Sequence, residues 1–125
     1  MSATDYIGRM SAEHSHARSC CPVTCTLDIL GDRWTLVVLR DLFLGRTTFK
    51  EFVDSPEGIA TNILSERLRR LVEAELVEKR QAPTGRRMTY HLTPKGQSLL
   101  PVLQAVRDWG LANIPGTEAR RGAVT

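Results

Sequence analysis

The sequence predicts a mainly α-helical fold with one small β-hairpin, and three observations support this prediction. Residues 59–73 have the pattern of an amphipathic helix rich in arginine. Residues 76–92 alternate as two strands around a glycine-containing turn. Most of the remaining pattern is also helical, and 125 residues suit one domain with a single core.

Composition and chain ends limit the class of protein. The chain is 42% hydrophobic and 25% charged, as in ordinary globular proteins. No apolar run approaches the roughly 20 residues that span a bilayer, and no secretory signal is visible at the start. A cytoplasmic location without a membrane partner is therefore expected. Three cysteines without an export signal argue against a disulfide scaffold.

The first two helices follow a polar N-terminal segment. Residues 1–19 lack periodicity and predict a flexible arm, so the domain is expected to span residues 20–114. Cys21-Pro22 indicates the start of a first helix that ends at Gly31. A second helix is predicted over residues 33–44. The small, polar and basic residues 115–125 predict a loose C-terminal tail.

A helix-turn-helix pattern occupies the middle of the chain. Thr47 or Thr48 is expected to begin a short third helix over residues 49–53. Residues 54–58, with the sequence Asp-Ser-Pro-Glu-Gly, have the composition of a turn. The arginine-rich helix of residues 59–73 follows. Helix, short turn and helix together form the unit that many DNA-binding proteins use.

This fourth helix, here called the recognition helix, has two distinct faces. At 100° per residue, an apolar arc faces the core and a polar arc lies near the N-terminal half. That half is the one that enters the DNA major groove in helix-turn-helix proteins. The apolar arc contains Leu64, Leu68, Leu71 and Val72, and the polar arc contains Asn62, Ser65, Glu66 and Arg69.

The polar arc has the chemistry to distinguish bases. Asn62 can form two hydrogen bonds with adenine, Arg69 can do the same with guanine, and Glu66 can accept one from cytosine. The alternative is a solvated helix surface whose Glu and Arg residues pair with one another. The hairpin that follows directly favours the DNA-binding interpretation.

Further side chains around this arc suit the phosphate backbone. Thr61 and Ser65 can donate to phosphate oxygens, and Arg70 lies toward the flank of the helix. Arg86 and Arg87, at the hairpin tip, can lie on phosphate or enter a minor groove. A basic turn that only maintains solubility is the alternative. Residues 67–95 contain eight Lys or Arg against three Glu, so the excess of positive charge lies here.

The hairpin and a last helix complete the predicted domain. The strands are expected over residues 76–82 and 87–92, joined by a turn at 83–86. Thr93-Pro94 predicts the start of a last helix that continues to about Asn113. Pro101 removes one backbone donor inside it and predicts a kink. A helix-turn-helix followed by a hairpin is a winged helix-turn-helix, and the hairpin is here called the wing.

Several short motifs occur in order along residues 20–112. They include Cys21-Pro22-Val23, Leu30-Gly31-Asp32-Arg33-Trp34, Gly58-Ile59-Ala60-Thr61-Asn62, Tyr90-His91-Leu92-Thr93-Pro94 and Trp109-Gly110. Together they resemble the HxlR-type transcription regulators, which are relatives of the MarR proteins.

The resemblance implies a homodimer that binds a palindromic operator in double-stranded DNA and acts as a regulator, expected to be a repressor. No cofactor is implied. In such proteins the first and last helices build the dimer, and the two recognition helices meet successive major grooves about 34 Å apart. The interface implied in this chain consists of Val23, Leu27, Leu99, Leu103, Val106 and Trp109.

Two positions depart from the pattern of the family. Many members have serine where this chain has Ala60, so capping of the recognition helix is expected to fall to Thr61. Many have glycine where this chain has Glu75. If that position requires a positive φ, glutamate is strained there by about 1 kcal/mol.

The three cysteines lie within six positions. Cys21 is expected at the N-terminus of the first helix, where unpaired N–H groups and the helix dipole favour a thiolate. Cys25 follows one turn later on the same face. Several HxlR-type proteins sense oxidants, quinones or aldehydes through the cysteine before Pro-Val. The resemblance therefore implies redox or electrophile sensing at Cys21 and Cys25.

Other interpretations of the cysteines stay open. Free cysteines often serve only as small packing residues. A ligand pocket between the helices could control the protein without using sulfur. His14, His16 and Cys20 could join the other thiols around a metal, although the spacing matches no familiar zinc motif, so no metal site is expected.

Two other functions of the whole chain are alternatives to DNA binding. A winged helix can serve contact with protein or RNA, which predicts weak dependence of DNA binding on salt. An enzyme using the cysteines would need a base positioned by a third group. The sequence has no Gly-rich phosphate loop and no paired-carboxylate motif, so no enzymatic activity is expected.

Overall fold

The computed structural model describes residues 20–118. Within these residues the backbone divides into two compact units, residues 20–33 and residues 34–118. The arm predicted over residues 1–19 lies outside the described residues, as does the tail from residue 119 onward.

In the first unit, α1 spans Pro22–Leu30, as predicted. Pro22 occupies the first turn, where a missing backbone donor costs nothing. The helix ends at Gly31, whose N–H donates to the Leu27 carbonyl oxygen at 2.7 Å. A Cβ at Gly31 would lie 2.3 Å from that same oxygen, so this helix end requires glycine.

The second unit contains the helix-turn-helix. Helix α2 spans Arg33–Phe43, beginning at the last residue of the first unit. Helix α3 spans Phe49–Val53, as predicted. It begins with a capping box, in which the Thr48 hydroxyl accepts from the Glu51 N–H and the Glu51 carboxylate accepts from the Thr48 N–H. The recognition helix is α4, Thr61–Glu73.

The wing is a two-stranded antiparallel hairpin. Strand β1 spans Val77–Gln81 and strand β2 spans Met88–Leu92, with Val77 opposite Leu92 and Lys79 opposite Tyr90. The segment before α3 lies beside β2, because the Tyr90 N–H donates to the Thr47 carbonyl oxygen at 2.9 Å. The wing is therefore attached to the start of the helix-turn-helix.

The prediction of one kinked helix at the C-terminus is wrong. A short helix, α5, spans Pro94–Gln97, and a separate helix, α6, spans Leu100–Asn113. Pro101 lies in the first turn of α6 rather than at a kink inside a longer helix. A proline ring excludes the carbonyl of the preceding turn, so the helix stops and restarts here. Within residues 20–118, no helix is long and apolar enough to cross a membrane.

The core of the second unit is a set of apolar side chains from the helix-turn-helix and the base of the wing. The apolar arc of α4 is buried as expected in Leu64, Leu68 and Leu71, whereas Val72 is only partly buried. These side chains hold α4 so that its other face is left at the surface. The remaining buried members include Val38, Leu39, Leu42, Phe52, Ile59, Leu76 and Val77.

The C-terminal end of α4 is closed by a Schellman motif. The Leu76 N–H donates to the Leu71 carbonyl at 3.0 Å, and the Glu75 N–H donates to the Val72 carbonyl at 3.0 Å. This motif places Glu75 in the left-handed region with φ of 62°. The strained glutamate expected from the sequence is therefore present.

The segment after the wing supports the same helix end. The Lys95 ammonium donates to the Ala74 carbonyl at 3.0 Å, and the Thr93 hydroxyl donates to the Glu75 carbonyl at 2.6 Å. Gly96 approaches so closely that a Cβ would lie 2.0 Å from the Leu76 carbonyl oxygen. Helix α5 thus fixes the C-terminus of the recognition helix against the start of β1.

Candidate nucleic-acid interface

The polar arc of α4 lies at the surface. Asn62, Ser65 and Arg69 are exposed, and the Glu66 side chain is 44% exposed. Since Leu64 and Leu68 between them are buried, the helix presents one continuous polar face. Thr61, at the first helical position, is exposed next to this face.

The N-terminus of α4 differs from the expectation about capping. The helix begins at Thr61 rather than at Ile59, and Ala60 is the N-cap residue without a side-chain hydrogen bond. Thr61 is therefore already helical, and the expectation that it caps the helix is wrong. An alanine N-cap provides no acceptor for the first N–H groups of the helix, which point along the axis where a phosphate oxygen can accept from them.

The charged side chains of α4 form a chain of ion pairs. Arg69 donates to Glu73 at 2.8 Å and lies 3.8 Å from Glu66. Glu66 also pairs with Arg67 and lies 3.8 Å from Arg70. This is the pairing along one face that the alternative interpretation of the helix describes. Exposed pairs of this kind contribute little stability, about 0.3–0.5 kcal/mol each, so a phosphate or base can displace them.

The wing tip is basic and exposed. Gly85 has a φ of 82°, which only glycine adopts without cost, and its carbonyl accepts from the Gln81 side chain at 3.4 Å. Arg86 and Arg87 follow it and are both exposed. The tip therefore presents two guanidinium groups to solvent, on a hairpin whose base is part of the core.

A partly buried ion network precedes the recognition helix, and it was not expected from the sequence. The Arg40 guanidinium on α2 donates to Glu57 at 2.7 and 2.8 Å, to Asp41 at 2.8 Å and to Ser55 at 2.9 Å. Arg46 also donates to Asp41, at 2.7 Å. The Asp41 residue is only 1% exposed. The network fixes the turn of residues 54–58 to α2.

Electrostatics within this network are strong. Hydrogen bonds from Arg40 lower the pKa of the Glu57 carboxyl to about 2. Hydrogen bonds to Glu57 and then to Asp41 hold the pKa of Arg40 above its ordinary value. Arg40 and Glu57 therefore stay charged throughout the physiological range. The sequence shows that Arg40 and Asp41 are adjacent and that residues 54–58 have the composition of a turn. It does not show that Arg40 contacts Ser55 and Glu57 of that turn.

The three cysteines have different surroundings. Cys21 is exposed at the N-cap of α1, and the backbone N–H groups of Thr24 and Val23 hold the pKa of its thiol below the ordinary value. Cys20 is partly buried and Cys25 is 4% exposed. Within residues 20–118 there is no group of three or more His, Cys, Asp or Glu side chains placed to hold a metal. His14 and His16 lie outside the described residues.

The residues expected at a dimer interface are unequally exposed. On α1, Val23 and Leu27 are 66% and 55% exposed. On α6, Val106 and Trp109 are 53% and 63% exposed, whereas Leu103 is only 8% exposed. Leu99 is partly buried. Sequence analysis missed three further exposed apolar side chains near the C-terminus: Val102, Leu111 and Ile114.

Comparison with known proteins gives a consistent family. A family model described as HxlR-like helix-turn-helix matches residues 29–118. The HTH-type transcriptional regulator sll1512 of Synechocystis sp. is 33% identical over 91 residues, which cover 72% of this chain and 67% of that protein. YodB of Bacillus subtilis, also an HTH-type transcriptional regulator, is 34% identical over 91 residues, covering 71% of this chain and 81% of YodB.

Solved structures show the same architecture. The crystal structure of PA1607 is similar to this chain with 42% sequence identity and a TM-score of 0.77. The matched region covers 85% of this chain and 75% of the PA1607 chain. The structure of the redox regulator HypR in its reduced form is similar with 27% sequence identity and a TM-score of 0.70. The matched region covers 76% of this chain and 95% of the HypR chain. The fold of this chain is therefore the winged helix-turn-helix.

Proposed function

Because the chain belongs to the HxlR-like helix-turn-helix family of transcription regulators, we propose that it is a dimeric, sequence-specific DNA-binding repressor that responds to oxidants or electrophiles. Its relatives are transcription regulators, not enzymes. The observation that supports specific binding best is the continuous exposed face of α4. Asn62, Ser65, Glu66 and Arg69 lie together there, above a buried apolar arc.

The chemistry of this face favours reading of bases in the major groove. Asn62 and Arg69 each match a base through two hydrogen bonds, and Glu66 matches the amino group of cytosine. Thr61, Ser65 and Arg70 surround them and contact phosphates. Arg86 and Arg87 of the wing tip contact backbone or minor groove beside the same site. All eight residues lie on α4 or the wing.

A homodimer is proposed from the exposed apolar side chains of α1 and α6. Val106 and Trp109 lie three residues apart, on one stripe of α6, and both are more than half exposed. Exposed apolar clusters of this kind mark interaction surfaces. A two-fold dimer then binds a palindrome whose half-sites are one helical turn apart.

Selection of bound duplexes from a random library tests this proposal. The expected product is an inverted repeat with half-site centres about 10 base pairs apart. Affinity should fall steeply with salt, because several phosphates are neutralised. Trp109→Glu should convert the dimer to a monomer in sedimentation experiments and weaken binding. If the selection enriches no common sequence, or if salt does not affect binding, a winged helix used for protein contact is favoured.

Control by oxidants is proposed from the surroundings of Cys21. A lowered pKa raises the fraction of exposed Cys21 present as thiolate, and the thiolate is the form that reacts with electrophiles. HypR is named a redox regulator, and the solved structure of YodB is described as the reduced form of that transcriptional regulator. Oxidation or alkylation at α1 would alter the dimer and thereby the spacing of the recognition helices.

The cysteine variants distinguish sensing from packing. Diamide or a quinone should release the parent protein from its selected duplex, and Cys21→Ser should abolish that release while leaving binding without oxidant unchanged. Cys25→Ser is the buried comparison. It should affect stability if Cys25 only packs, and release if Cys25 reacts after Cys21. Unchanged release in Cys21→Ser would remove the sensing role and leave control by a non-covalent ligand.

A further inference from the structure

A groove of about 360 Å³ separates the recognition helix from the wing. Ser65, Arg69 and Glu73 of α4 line one side, and Lys79 of β1 and Tyr90 of β2 line the other. Its walls therefore carry two cations and one carboxylate. We call it the helix–wing groove.

Lys79 lies against the Tyr90 side of this groove. It pairs across the sheet with Tyr90, and its ammonium lies 5.9 Å from the centroid of the Tyr90 ring. The Tyr90 ring in turn packs edge-on against Phe52, with centroids 6.2 Å apart, and Phe52 is only 1% exposed. The core thus holds Tyr90, and Tyr90 holds the lysine stem at the groove.

The neighbouring cation on the same strand faces away. Side chains alternate along a strand, so Arg80 lies on the opposite face from Lys79. Arg80 donates to Glu78 at 3.2 and 3.3 Å, and both are exposed. Lys79 and Arg80 are therefore a natural pair for comparison, since they have the same charge and similar exposure but different faces.

Glu73 holds Arg69 in an ion pair that bound DNA would have to break. Its carboxylate accepts from Arg69 at 2.8 Å, and the two side chains are 63% and 58% exposed. An exposed pair spaced four residues apart is weak. DNA therefore competes with Glu73 for Arg69, which on leaving the carboxylate is free to reach a base edge.

From these contacts we propose that the helix–wing groove binds one phosphate of a DNA strand, with Lys79 contacting the phosphate and Glu73 being displaced from Arg69. The inference rests on the proposed DNA binding and extends it to two residues that sequence analysis did not assign. Lys79 then adds affinity without sequence preference. Glu73 limits affinity by competing for Arg69.

Two matched pairs of variants test the assignment with a random-sequence duplex of about 30 base pairs, which is roughly three helical turns. Lys79→Gln is compared with Arg80→Gln, and Glu73→Gln with Glu78→Gln. Each is measured by fluorescence anisotropy over a range of salt concentrations, with thermal melting to establish that the variants are folded. Glu73→Gln is also made in the background of Arg69→Ala.

Lys79→Gln should weaken binding roughly three- to tenfold and reduce the slope of log K against log salt by about 0.9 per bound protomer. Arg80→Gln should change either quantity far less. Glu73→Gln should tighten binding roughly two- to fivefold, because it releases Arg69 for contact with DNA. In the Arg69→Ala background, Glu73→Gln should tighten binding of the duplex by about 1.3-fold or less, because Glu73 then has no Arg69 to withhold from the DNA.

Equal effects of Lys79→Gln and Arg80→Gln would overturn the site, since only net charge would then matter. An effect of Glu73→Gln that persists without Arg69 would overturn the competition. Displacement of the duplex by inorganic phosphate at constant ionic strength would indicate a site for a free anion instead. If the parent binds no duplex at all, the proposed function fails together with the groove. If it binds normally and the pairs do not differ, only the groove fails.

Discussion

The Arg40 guanidinium on α2 binds the Glu57 carboxylate through two hydrogen bonds, of 2.7 and 2.8 Å. Glu57 lies in the turn just before the recognition helix. The N-cap residue of that helix, Ala60, forms no side-chain hydrogen bond. The start of α4 is therefore positioned by this ion pair and by the buried Ile59, rather than by a cap of its own.

Removal of Arg40 should destabilise the domain strongly. Arg40→Met leaves Glu57 without its main partner and leaves the 1%-exposed Asp41 with Arg46. Because the Arg40 and Glu57 side chains are only partly buried, at 21% and 22% exposed, the loss should lie between that of a surface pair and that of a buried one, at about 2 kcal/mol, and urea unfolding measures it. Lys50→Ala is the control, because its pair with Asp54 is largely exposed and should contribute less than about 0.5 kcal/mol. Equal losses in the two variants would contradict the role of the network.

The same ion pair predicts a dependence of stability on pH. The pKa of Glu57 falls from 4.5 to about 2 on folding, so the folded state favours the charged form. Its contribution is fully present above about pH 4.5 and is lost as the pH falls toward 2. The gap in unfolding free energy between the parent and Glu57→Gln should therefore be constant from pH 7 to about pH 5 and close below that. A gap unchanged down to about pH 2 would contradict the pair.

Glu75 should be a site of strain. Its φ of 62° is costly for any residue with a Cβ. Glu75→Gly should raise the unfolding free energy by about 1 kcal/mol. Glu75→Ala keeps the Cβ and provides the control, with little or no gain expected. If alanine stabilises as much as glycine, the cause is the removed charge and not the backbone.

Gly96 should tolerate no side chain. A Cβ there would lie 2.0 Å from the Leu76 carbonyl oxygen and 3.0 Å from its carbon. Gly96→Ala must therefore push α5 away from the end of the recognition helix, with a cost of about 2 kcal/mol or more. Thermal unfolding measures it, and Gln97→Ala, at an exposed neighbouring position, is the comparison. A melting temperature shared by both variants would show that the close approach is not maintained.

Much of the fold could be predicted from local sequence patterns. The start and end of α1 followed from Pro22 and Gly31, and α3 followed from its threonine cap. The caps of α3 and α5 likewise followed from Thr48 and Thr93, whereas the positive φ of Glu75 was expected only as a condition, from the glycine that many family members have there. The helix ends depend on a few consecutive residues, so a single sequence is sufficient to predict them.

Contacts between distant residues could not be predicted in this way. Arg40 and Glu57 are 17 positions apart, and each alone has the appearance of a solvated side chain. Lys79 belongs to the helix–wing groove only through the register that places it opposite Tyr90. The break before Pro101 depended on where the helix restarts, since a proline suits either a kink or a first turn.

If the exposed face of α4 distinguishes bases, the protein binds its selected duplex more tightly than a scrambled one, and competition between the two duplexes measures that preference. Arg69→Ala and Asn62→Ala should each reduce that preference by about 1–3 kcal/mol and relax one base position. Glu78→Gln on the wing should leave it unchanged. A preference that survives in both α4 variants would contradict the account.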